Sequence, residues 1–193
     1  MKEVFVHPTA TVEKSARLGK GTKIWHYSHV REGAVMGENC MTGHCVYIDR
    51  DVHIGNNVKI QNKSSVFRGV TLEDNVFIGP HVAFTNDLRP RVSDEWELKK
   101  TLVRTGASIG VNCTILCGIT IGKHAMIGGG SVVTKGVPNH GLAYGDPAKL
   151  RGFVCRCGET LKRGSEKDDF AEFKCPKCGF SVKIEKAVYS RVV

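Results

Sequence analysis

The chain has 193 residues, enough for one full core or for one domain with a small appendage, and carries a net charge of +9. Aromatic residues make up 7 % and glycine numbers 22, with Val and Ile throughout, which favours many short strands and tight turns over long helices. No apolar run approaches the ~20 residues of a membrane span, and the opening MKEVFVHPTA lacks the apolar stretch of a secretion signal. A soluble, cytoplasmic protein with no membrane partner is expected, and the excess positive charge suits an anionic ligand such as a phosphorylated cofactor or a nucleotide.

From the N-terminus the chain repeats every six residues. Val6, Val12, Leu18, Ile24, Val30, Met36, Thr42, Ile48, Ile54, Ile60, Val66, Leu72, Ile78 and Phe84 are aliphatic or aromatic with the single exception of Thr42. Four residues after each, from Ala10 to Val82, stands a small or β-branched residue. A helix repeats at 3.6 residues and an ordinary strand at two. A period of six fits a chain that runs a short strand, turns a corner and repeats. Gly, Asn and Asp at the corners, as in Ile54-Gly-Asn-Asn, supply the turn conformations. Three hexads close one triangular coil of 18 residues, the left-handed parallel β-helix. Cys40 and Cys113 fall on the small interior position and read as buried thiols, not nucleophiles.

The period stops at Phe84 and resumes at Val103, through Ile109, Ile115, Ile121, Ile127 and Val133. A solenoid stacks best without interruption, and an insertion this long is usually functional or disordered. Leu88, Trp96 and Leu98 within segment 85–102 suggest an arm that packs against something and borders the active site. Residues 18 apart should stack. One column then reads Glu32, Arg50, Arg68 and Asn86, another His26, His44 and Asn62, and a third His29, Tyr47 and Ser65, a polar wall rising to the insertion. His81 and His124 lie at corners and could serve as bases or as plain surface; His7, His53 and His140 carry no special context.

After residue 150 the hexads end. Residues 151–193 carry Cys155-Arg-Cys157-Gly and Cys175-Pro-Lys-Cys178-Gly, two cysteine knuckles, the first one residue shorter than the usual spacing. Four thiolates suit a closed structural zinc site. Disulfides are the alternative, which a cytoplasmic setting disfavours. About forty residues bury little core, so a metal would stabilise the unit. Capping or partner docking fits this short tail of mixed charge better than binding nucleic acid.

The segments KIWHYSHV (23–30), NVKIQNKSSVFRGVTLEDNVFIGP (57–80), FTNDLRPR (84–91), GASIGVNCTILCGITIGKHAMIGGGSVVTKGVP (106–138) and YGDPAK (144–149) resemble the nucleotide-sugar N-acetyltransferases. The group acting on UDP-2-acetamido-3-amino-2,3-dideoxy-glucuronate resembles the chain most closely, and it often ends in a tail opening like FVCRCGETL. The resemblance implies a homotrimer with active sites between subunits, acetyl-CoA along the C-terminal coils, and a role in surface-polysaccharide synthesis. It places Asn86 near the reacting centre. His81, from its corner position, is the fallback base. His29, Arg50, Asn62, Arg68, Asp87 and Arg89 are the candidates for the sugar nucleotide. Gly118 and Gly129 are candidates for the acetyl-CoA thioester, and Lys123, Lys135, Lys149 and Arg151 for the CoA phosphates. A γ-class carbonic anhydrase shares the coil but needs three gathered histidines, and His124 stands alone in the late coils. An O-acetyltransferase, a 4-amino-sugar enzyme and a non-catalytic scaffold are the remaining alternatives.

Overall fold

A computed structural model describes residues 3–92 and 97–193. Residues 5–133 form a parallel β-helix of two- and three-residue strands on three faces, as the six-residue period requires. We call the faces A, B and C in the order the chain meets them. Stacked partners are 18 residues apart before the insertion, with Ile54 beside Leu72. They are 31 apart across it, with Leu72 beside Val103. The strand on face C restarts at Thr101, so the excursion is two residues shorter than segment 85–102 suggests.

The first residue of each hexad points inward. From Ile24 to Val133 these side chains are at most 4 % exposed and form one continuous column of core. Burying each aliphatic side chain contributes about 1.5–3 kcal/mol, which drives the stacking. Thr42, the exception in the pattern, is fully buried. Its hydroxyl accepts the Trp25 N–H at 3.2 Å and lies 3.5 Å from Ser28 Oγ, so its polarity is satisfied inside the coil. The small interior positions use their polar atoms in the same way. Ser64 Oγ donates to the Gly79 carbonyl at 2.7 Å, and Cys113 Sγ to that of Gly128 at 3.1 Å. Burial pushes the Cys40 and Cys113 thiols up from their ordinary value, so both are inert core groups.

The coil ends in a hairpin. Ala148–Phe153 runs antiparallel to Gly141–Gly145 and closes face A. Beyond it, Lys162–Lys167, Phe170–Lys174 and Ser181–Glu185 form a three-stranded antiparallel sheet, followed by the helical turn Lys186–Tyr189. Leu150, Phe153, Leu161, Phe173, Ile184 and Tyr189 give this unit its own small core. Among the described residues no helix is long and apolar enough to cross a membrane.

Candidate functional site

The corner between faces B and C holds a polar cluster just below the insertion. Asp49 is its hub. Its carboxylate accepts the Arg50 N–H at 2.8 Å, the Arg68 N–H at 3.1 Å and the Tyr47 hydroxyl at 3.1 Å, with Arg31 Nη1 at 3.6 Å. Its side chain is only 13 % exposed, so these partners replace its water. Arg31 in turn clasps Glu32 through two bonds of 2.8 and 2.9 Å. The Arg50 guanidinium has no ion pair among the described residues, whereas Arg68 lies 3.5 Å from Asp51. His29 sits on the outer surface of face B, 3.0 Å from Glu13 and edge-on to Tyr47. Asp49 and Arg31 were not singled out from the sequence. Their signal was present, since Arg31, Asp49 and Phe67 stand 18 apart beside the column that was read.

Asn86 lies at this corner, two residues beyond the end of the strand Ala83–Phe84, at the mouth of the excursion. The Lys99 N–H donates to its carbonyl at 3.1 Å and pinches the loop shut at its neck. Among the described residues no hydrogen bond engages its half-buried side-chain amide. Asp87 Oδ1 accepts the Arg89 N–H at 2.8 Å, an Asx-type turn early in the excursion. Leu98 packs over Gly69, as an arm that docks should. Leu88 remains 52 % exposed. Trp96 lies outside the described residues.

His81 occupies the other end of that strand, at the corner between faces A and B. Its φ is +57°, and the corner residues stacked with it, Tyr27, Cys45, Lys63 and Asn112, are left-handed as well. His and Asn tolerate that region better than most residues. The corner thus accounts for the residue type without chemistry, and within one chain Asn86 and His81 are not brought together. Asn62, in the adjacent column of the same corner, uses Oδ1 to accept the His44 N–H at 2.8 Å, a rung of the stack. Gly129 is at this corner, against Val111. Gly118 is at the corner of Asn86, where the neighbouring Cys117 N–H donates to Thr85 Oγ1 at 2.9 Å.

The four basic residues assigned to CoA phosphates divide. Lys135 and Lys149 line one cavity of about 270 Å³, joined there by Arg191 from the C-terminal segment. Lys123 lines a different, larger cavity at the corner between faces C and A. Arg151 lines neither; it lies 5.4 Å from the Tyr144 ring and donates to the Val193 carbonyl at 3.2 Å. His140, read as featureless, is buried between the coil and the tail. Its Nδ1 is 2.9 Å from the Val154 carbonyl, and its ring lies between those of His124 and Phe180. Sequence periodicity could not show this, because the contact joins two units of unrelated pattern.

The four cysteine sulfurs of the tail converge within 4.8 Å of one another. Cys155 and Cys178 are 3.4 Å apart and Cys157 and Cys175 are 3.6 Å apart. A disulfide needs about 2.05 Å. Sulfurs about 3.8 Å apart are what a tetrahedral ion with metal–sulfur bonds of ~2.3 Å requires. The shortened first knuckle is therefore no obstacle to a four-thiolate site.

Residues 15–50 match the bacterial transferase hexapeptide (six repeats) family, and residues 106–135 the hexapeptide repeat of succinyl-transferase. Over 159 residues the chain is 48 % identical to the dTDP-3-amino-3,6-dideoxy-alpha-D-galactopyranose 3-N-acetyltransferase of Aneurinibacillus thermoaerophilus, covering 82 % of each chain. The chain belongs to the hexapeptide-repeat acetyltransferases. Among solved structures, this acetyltransferase is similar to the GDP-perosamine N-acetyl transferase of Caulobacter crescentus, in complex with CoA and GDP-perosamine. The identity is 25 % and the TM-score 0.54, over 78 % of this chain and 57 % of that one. It shares its fold with the acetyltransferase domain of PglB from Neisseria gonorrhoeae, in complex with acetyl coenzyme A, at 21 % identity and TM-score 0.53, over 77 % and 58 % of the two chains. The acetyltransferase thus spans little more than half of either solved neighbour.

Proposed function

We propose that this acetyltransferase moves an acetyl group from acetyl-CoA to the 3-amino group of a nucleotide-linked sugar. What carries the reading is the 48 % identity, over 82 % of both chains, to an enzyme named for 3-N-acetyl transfer to such a sugar. The Asn86 amide at the mouth of the insertion, unengaged among the described residues, supports it. Segments 57–80 and 84–91 and the cysteine tail resemble the enzymes acting on UDP-2-acetamido-3-amino-2,3-dideoxy-glucuronate, and we take that as the acceptor. Arg50, whose guanidinium is not ion-paired among the described residues, would meet the uronate carboxylate. The relative's dTDP-linked 6-deoxy sugar, which has no carboxylate, is the second reading.

The chemistry is an attack by a neutral amine on a thioester carbon. The nitrogen forms its bond to carbon as the carbonyl oxygen gains charge. The tetrahedral intermediate then expels the CoA thiolate, which takes up the proton the amine sheds. Positioning does most of the work and can supply about 7 kcal/mol or more. Asn86 orients the amine or the thioester. A backbone N–H beside Gly118 or Gly129 would steady the oxyanion, an interaction worth about 3–4 kcal/mol. His81 is not required as a base in this scheme.

Lys135, Lys149 and Arg191 supply charge for the CoA phosphates. The active site is completed between subunits of a homotrimer, which would offer the corner of His81 and that of Asn86 to one cleft. The molecule divides into a catalytic coil, residues 1–150, and a tail, residues 151–193, held by a structural zinc ion on the four cysteines. With no open ligand position, that zinc has no part in the transfer. Asn86→Ala should lower kcat with the melting temperature unchanged, and an unchanged kcat would remove Asn86 from the site.

A further inference from the structure

A cavity of about 540 Å³ lies where the last coil meets the tail. It is at the corner between faces C and A, which carries neither Asn86 nor His81. Its volume falls in the ~300–1,000 Å³ range of small-molecule sites. Lys123 from the coil and Arg156 and Lys183 from the tail line it, against the single carboxylate of Glu185. Among the described residues none of the three cations is ion-paired. One wall is aromatic. His124 and His140 have ring centres 5.2 Å apart, His140 and Phe180 5.4 Å, and the Arg156 guanidinium lies 4.6 Å from the Phe180 centroid. Val182, Ile184 and Val188 add an apolar surface.

We propose that this cavity binds a nucleoside phosphate, with the base against the histidine and Phe180 wall and the phosphate between Lys123 and Lys183. The chemistry is that of a planar ring joined to an anion, which such a combination of flat apolar surface and unpaired cations selects. Two sources share it: the nucleotide released from a sugar nucleotide, and the nucleotide end of CoA. Either would tie the tail to the state of the coil, because the cations come from both.

The test is calorimetric titration of the full chain with UDP, with adenosine 3′,5′-bisphosphate and with inorganic phosphate. Lys183→Glu and Arg156→Ala are compared with the native chain and with Lys162→Ala, an exposed tail lysine outside the cavity. Nucleotide binding weakened at least tenfold by Lys183→Glu but kept by Lys162→Ala supports the site. A response confined to UDP marks the sugar nucleotide as the source, and one confined to adenosine 3′,5′-bisphosphate marks CoA. Binding untouched by Lys183→Glu, or inorganic phosphate binding as tightly as the nucleotides, would overturn it. Because Arg156 stands between two metal-site cysteines, the exposed Lys183 variant decides the outcome if Arg156→Ala fails to fold. The readout is binding, so failure here leaves acetyl transfer untouched.

Discussion

His81 is where a structural and a chemical explanation of the same residue can be separated. Its backbone is left-handed, at φ +57°, and its N–H donates to the Asn62 carbonyl at 3.0 Å. A residue with a Cβ in that region carries a cost of about 1–2 kcal/mol, which Asn offsets through local bonding and glycine avoids. His81→Asn should therefore leave stability within about 0.5 kcal/mol of the native value. His81→Ala should lose roughly 1 kcal/mol, and His81→Gly should fall near neutral as relief of strain offsets added chain entropy. Urea unfolding at constant protein concentration reads these differences. Because a proton can leave with the thiolate, kcat/KM of the Asn variant should stay within about threefold of native. A general base would contribute about 10²–10⁴. A loss of that size in His81→Asn, with unfolding unchanged, refutes the corner explanation and makes His81 the base.

Gly110→Ala should destabilise the coil by more than 1 kcal/mol, since its Cβ would lie 2.6 Å from the Gly129 backbone nitrogen, where no side chain can yield; thermal unfolding checks this. Ile109→Ala, at a fully buried rung, should cost about 2–5 kcal/mol in urea unfolding. Burial is the first cause holding both His124 and His140 below their ordinary value, with the neighbouring Arg156 adding to it. Lys123 and Lys183 add like charge around them, and Glu185 opposes it. The unfolded chain binds more protons than the folded one in the window below 6.5, so stability is present above that pH and falls as it drops. Unfolding at pH 5.5 against 7.5 should show the loss, and His140→Gln should reduce it. Metal analysis should find one zinc per chain, and a chelator should melt the tail sheet while the coil's β signal persists; a metal-free tail that stays folded would speak against the site.

The coil was legible because every hexad repeats one physical demand, an inward apolar residue, and nineteen repetitions outweigh the exception at Thr42. The resumption of the pattern at Val103 was legible for the same reason. The candidate site was legible only in part. Asn86 was reached through its segment and its position at the break in the period. Asp49 was passed over because a carboxylate among corner residues looks like surface until its bonds to Arg50, Arg68 and Tyr47 are seen. His140 was missed because its neighbours, Val154 and Phe180, belong to the tail, and no period relates them to the coil. The convergence of the four thiols needed only spacing to be read, since the two knuckles name their cysteines locally.

The most direct test of the account is turnover with acetyl-CoA against UDP- and dTDP-linked 3-amino and 4-amino sugars, read by product mass. The account expects one 3-amino sugar to gain a single acetyl group far faster than the others, the UDP-linked uronate first among them. Acetylation of hydroxyl acceptors alone, or no product from any amine while acetyl-CoA still binds, would contradict it.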